Sequence, residues 1–183
     1  MFNPLSEADA PLRTDFLMSA RKAAEAVGLP VAVAQSLTAA MRELETNIHE
    51  HSDQATTGLI AYRASQSEFE FVVADAGRGI LSTLQEAPEY RSLTDHGRAL
   101  HAALQEGVSR YGRAANRGNG FRDLFLGLAS LDASLRFRSG DHALSLSGGH
   151  PDLRFARLAQ KMPFQGFLAS VRCRVRPLSR VRH

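Results

Sequence analysis

Residues 68–75 read Glu-Phe-Glu-Phe-Val-Val-Ala-Asp, and this alternation constrains the fold more than any other stretch of the chain. Successive side chains of a strand point to opposite faces, so Phe69, Phe71 and Val73 fall on one side and Glu68 and Glu70 on the other. A strand of this kind needs an apolar layer on one side only. Asp75 continues the apolar side, where a carboxylate is costly unless it accepts hydrogen bonds.

The flanking segments predict that layer. Thr14–Val27 reads as a helix with an apolar stripe of Phe16, Leu17, Ala20, Ala23, Ala24 and Val27, punctuated by Gly28 and Pro30. A second helix spans about Val31–His51, with Val33, Leu37, Ala40, Met41, Leu44 and Ile48 as its apolar set. A first strand is expected at Thr57–Arg63, a loop after Gly77–Gly79 and a helix near Asp95–Glu106. Gly107–Gly120 reads as a mobile loop and Phe121–Leu131 as a helix. Strands are expected at Ser134–Ser139, His142–Ser147, about Leu153–Leu158 and Gly166–Arg176. The expected class is α/β, a largely antiparallel sheet with helices on one face.

Length and composition fit one domain over residues 1–183. The chain is 44% hydrophobic and 22% charged, which argues against a mostly disordered protein. No apolar run approaches the roughly 18 residues of a membrane span, and no secretory leader is visible. Cys173 is the single cysteine, so an internal disulfide framework is excluded and a reducing, cytoplasmic setting is the default.

Three segments concentrate polar residues in chemically suggestive order. Glu43, Asn47 and His51 are spaced by four residues on the second helix and share a face. A carboxylate there could orient a nucleophile, and an amide oxygen suits a Mg²⁺ ion that keeps several waters. The plain alternative is a solvated helix face. Asp75-Ala76-Gly77-Arg78-Gly79-Ile80 follows a strand; its glycines permit close approach to a flat ring, and Asp75 could accept from an adenine amino group. Its plain alternative is an Asp-Gly-type turn. Arg117-Gly118-Asn119-Gly120-Phe121 precedes a helix and could offer N–H groups to an anion, or be a solvated loop.

Together and in this order, the three segments resemble the N box, G1 box and G2 box of the GHKL nucleotide-binding superfamily. That superfamily includes gyrase, the ninety-kilodalton heat-shock chaperones, sensor histidine kinases and mismatch-repair ATPases. The chain is most similar to stand-alone bacterial members, the anti-sigma-factor serine kinases and histidine-kinase-like ATPases, over about Val31–Val175. The resemblance implies a Bergerat-type two-layer sandwich, with a mixed, mostly antiparallel sheet, that binds ATP and Mg²⁺. By it, Glu43 is the catalytic acid that polarises the attacking group, Asn47 the Mg²⁺ ligand and Asp75 the adenine reader. Gly77, Gly79 and Ile80 shape the base pocket. Gly118 and Gly120 lie at the phosphates with Arg117, Asn119 and Phe121 beside them, and Gly107–Asn119 is the lid. Two departures stand out: Gly166 is followed by Phe167 where the family often has Thr, and the lid has no Lys.

The implied activity is phosphoryl transfer from ATP to water or to a partner protein in trans. No phosphoacceptor helix pair or transducer domain is expected around this core. The alternative is a nucleotide-sensing module that docks a partner without turnover. His49 and His51 are expected to face phosphate, metal-bound water or solvent. No H-E-x-x-H or Walker A pattern occurs.

The charge is unevenly placed. Net charge is +3, yet the segment from Leu153 to His183 holds seven Arg, one Lys and no acid. In Val171–Arg176 and Leu135–Arg138 basic and apolar residues alternate, which predicts a sheet face bearing Arg136, Arg138, Arg172, Arg174 and Arg176. That face could dock an acidic protein or, as the least favoured class, a nucleic acid. The plainer reading, and the favoured one, is a solvated face balanced by Glu68, Glu70 and counterions. Residues 177–183 are expected to be disordered. A membrane partner is not expected, and homodimerisation stays open.

Overall fold

The computed structural model describes residues 10–105, 132–147 and 153–175. The expected lid, the helix at Phe121–Leu131 and the tail at 177–183 lie outside those residues.

Glu68–Asp75 forms strand β2 with alternate residues buried, and Phe69, Phe71, Val73 and Asp75 are the buried set. β1 (Leu59–Ser65) pairs with it, Tyr62 opposite Phe71 and Arg63 opposite Glu70. β3 (Asp132–Ser147) and β4 (Arg157–Arg174) complete an antiparallel sheet in the order β1-β2-β4-β3. Thus an α/β fold with an open antiparallel four-stranded sheet stands among the described residues.

The helices cover one face. α1 (Ala10–Ala26) packs on α2 (Val31–His51), and α2 packs on β2. Every member of the apolar set expected for α2 is buried. α1 starts before Thr14, whose hydroxyl donates back to the Ala10 carbonyl at 3.0 Å from inside the helix and does not act as a cap. α4 (His96–Leu104) is capped by Asp95, whose side chain accepts from the Arg98 N–H at 2.6 Å, and packs on β3. Phe69, Phe71, Phe137, Leu37, Met41, Leu100 and Leu135 fill the core between the layers. Burial of each such side chain contributes roughly 1.5–3 kcal/mol.

Several boundaries differ from the sequence expectation. The two strands expected at 134–147 are one strand with register shifts around Gly140, because a bulge breaks the alternation without ending the ladder. Leu153–Phe155 is a short 3₁₀ turn, and the strand starts at Arg157 and runs through Gly166. The expected loop after Gly77–Gly79 turns at once into helix α3 (Gly79–Leu84).

The second face of the sheet carries Arg136, Arg138, Arg172 and Arg174, and Arg176 lies outside the described residues. Glu68 receives Arg174 at 2.9 Å and Arg63 at 3.0 Å, with Arg172 at 4.0 Å. Arg138 donates to the Met162 carbonyl at 2.7 Å and lies over the Phe164 ring. Cys173 is fully buried on the helix side, and burial pushes its thiol up to about 12. No described helix is long and apolar enough to cross a membrane.

Candidate functional site

The site is built where β2 ends. Asp75 is 8% exposed and opens the turn from Ala76 to Ile80. The Gly77 N–H donates to Asp75 Oδ1 at 2.8 Å, and the Phe167 N–H also bonds the carboxylate. Burial holds the Asp75 carboxyl above its ordinary value, and these two N–H groups offset only part of that rise. A carboxylate offers about four lone-pair sites, so two backbone donors leave capacity for another donor.

The turn itself is tied on every side. The Ala76 N–H donates to Thr57 Oγ1 at 3.0 Å, the Arg78 N–H to the Ser52 carbonyl at 3.0 Å and the Ile80 N–H to Ser139 Oγ at 3.0 Å. Gln165 Nε2 donates to the Ala76 carbonyl at 3.0 Å. With its N–H groups so engaged, the turn is poorly equipped to cradle an anion; it is suited to act as a wall. At Gly77 a side chain would overlap the Ser52 carbonyl, and Gly79 holds φ +78, a conformation that L side chains rarely adopt. Both positions therefore keep bare backbone on that wall. Ile80, half-buried against the core, begins α3 beside it.

The end of α2 is joined to this turn. Arg78 Nε donates to the His51 carbonyl at 2.9 Å, and Thr83 Oγ1 approaches the same oxygen at 3.3 Å. Arg78 also pairs with Glu86 at 2.6 Å and Asp53 at 3.3 Å. Asn47 lies one helical turn before His51, and Glu43 one turn before Asn47. Both are half-buried, and among the described residues neither side chain makes a hydrogen bond or ion pair. By helical spacing, two polar side chains with unused capacity thus share the α2 face of His51, whose carbonyl Arg78 holds.

His49 departs from expectation. Its two ring nitrogens are buried, on the opposite flank of α2 from Asn47, where Glu45 is also buried and Arg13 of α1 is the charged neighbour. Arg117, Gly118, Asn119, Gly120 and Phe121 lie outside the described residues. Sequence reasoning passed over Arg78, Thr57 and Ser139. Ser139 was findable: Leu135, Phe137 and Ser139 share one strand parity, which places a hydroxyl on the buried face.

Among the described residues no group of three or more His, Cys, Asp or Glu side chains gathers to hold a metal ion. A Mg²⁺ ion held through one amide oxygen, with waters and phosphate oxygens completing its shell, would need no such group. No protein-family model matches the chain, and no curated protein matches it.

Proposed function

We propose that the chain is an ATP- and Mg²⁺-binding regulatory module of the GHKL type, with a Bergerat-type fold, that transfers the terminal phosphoryl group of ATP to water or to a partner protein in trans. The observation that carries this reading is Asp75, a buried carboxylate with spare acceptor capacity at the mouth of a turn whose backbone is bare at Gly77 and Gly79. An exocyclic amino group of a flat base suits that acceptor, and the bare backbone admits a ring.

In this reading Asp75 reads the base, and Gly77, Gly79 and Ile80 line it. Asn47 holds the Mg²⁺, which offsets charge on the phosphates. Glu43 orients the attacking hydroxyl or water; its freedom from any ion pair among the described residues leaves it available as an acceptor. Gly118, Gly120, Arg117, Asn119 and Phe121 complete the phosphate side.

Calorimetric titration of a non-hydrolysable ATP analogue with Mg²⁺ tests the reading. Asp75→Asn keeps an acceptor for the Gly77 N–H but replaces carboxylate oxygen with an amide. Wild type binds, and the variant binds at least about tenfold more weakly, as expected for loss of a charge-assisted hydrogen bond. Glu43→Gln keeps the wild-type affinity and loses turnover. Equal binding by wild type and Asp75→Asn, or none by wild type, overturns the base assignment. Tight binding without turnover in wild type, with candidate partners present, favours the nucleotide-sensing alternative.

A further inference from the structure

We infer that Ser139 is a positioning residue for base recognition, holding the far end of the Ala76–Ile80 turn at a fixed distance from Asp75; the inference rests on the nucleotide reading above. Asp75 pairs with Phe167 across β2 and β4, and Phe167 pairs with Ser139 across β4 and β3. The three residues form one row over three strands. Asp75 and Ser139 are both buried, on the side that the helices cover.

The turn leaves the sheet at Asp75 and is caught again at Ser139, two strands away, so it bridges the β4 backbone. Its near end is fixed by the Gly77 N–H on Asp75, and its far end by the Ile80 N–H on Ser139 Oγ at 3.0 Å. A serine hydroxyl has one proton. Ser139 donates it to the Gly166 carbonyl at 2.7 Å, so the oxygen meets Ile80 as a pure acceptor. The relay runs from the Ile80 N–H through Ser139 to Gly166. Ser139 is 2% exposed, which shields the relay from competing water. A side chain on Gly79 would meet Ser139 Oγ at 2.8 Å, so the bare wall and the hydroxyl fit one another. Without the hydroxyl, the wall keeps its anchors at Asp75, Thr57 and Ser52 and loses the one at its far end.

The test is the preference of the chain for an adenine over a hypoxanthine triphosphate analogue, both non-hydrolysable and with Mg²⁺, in wild type, Ser139→Ala and Ser139→Thr. Hypoxanthine carries a carbonyl where adenine carries the amino group that Asp75 would read. The expected result is a preference reduced about tenfold in Ser139→Ala, with faster hydrogen exchange at the Ile80 amide, and both restored in Ser139→Thr. A merely structural serine would weaken both analogues alike and leave the ratio unchanged; that outcome overturns the inference and leaves the nucleotide reading standing. A wild type that binds neither analogue, or both equally, overturns the base reading and this inference with it.

Discussion

Glu45 is 3% exposed, and its Oε1 is buried without a hydrogen-bond partner among the described residues. Burial pushes its carboxyl up, opposed by the charge of Arg13; burial also pushes His49 down, aided by the same arginine. The two shifts tilt stability in opposite senses. A carboxyl whose folded pKa lies above the unfolded value of 4.5 keeps its proton longer in the native state, so stability falls as pH rises from 4.5 to the folded value. A histidine whose folded pKa lies below 6.5 is held neutral, so stability falls as pH drops from 6.5 to the folded value. Glu45→Leu removes the first slope and the unpartnered oxygen. It is expected to stabilise the protein by about 1–3 kcal/mol at pH 7, measured by urea unfolding, with the acid-side loss from His49 retained. No stabilisation would mean that Arg13 compensates the carboxylate in full.

The joint between α2 and the turn after β2 depends on Arg78, the residue between the two site glycines. Its guanidinium serves the His51 carbonyl, Glu86 and Asp53, while its Nη2 is buried without a partner among the described residues. Arg78→Met removes the charged bonds and the unpartnered atom together. Bonds to charged groups contribute roughly 1.5–3 kcal/mol, and the unpartnered nitrogen offsets part of that, so a loss of about 1.5 kcal/mol is expected in urea unfolding. The same joint marks how far the sequence could be read. The alternation of Glu68–Asp75 and the apolar spacing of α2 reflect local periods of two and 3.6, and both elements lie where those periods put them. Glu43, Asn47, Asp75, Gly77 and Gly79 could be singled out because each sits at a recognisable offset within one element or turn. Arg78, Thr57 and Ser139 act across 27, 19 and 59 residues of chain, and no local period encodes such pairings. The bulge at Gly140 was hidden for a related reason: Ser139-Gly140-Asp141 reads as a turn locally, and the ladder with β4 keeps it in a strand.

At the scale of the whole molecule, the basic excess meets the acids of β2 on the open face of the sheet. Arg63, Arg136, Arg138, Arg172 and Arg174 share that face with Glu68, Glu70 and Asp132. Glu68 is the hub, because three of those arginines reach it from the strands on either side. The Arg174 hydrogen bond is the largest cause that holds the Glu68 carboxyl below its ordinary value, and the charges of Arg172, Arg174 and Arg63 add to it. A carboxyl with a depressed folded pKa contributes stability that is present above the unfolded value of 4.5 and is lost as pH falls through the folded value. Glu68→Gln is therefore expected to be less stable than wild type at pH 7 and to converge with it as the solution is acidified past that window. High salt should narrow the pH 7 difference too, since the screening length shrinks to about 3 Å at 1 M. The variant also leaves the face more positive, with three arginines deprived of their common acceptor. If an acidic protein surface docks on this face, Glu68→Gln binds it more tightly at low salt. If the arginines serve only to neutralise β2, the variant shows the stability change alone, and the gain of acidic-partner binding in a pull-down at low and high salt separates the two.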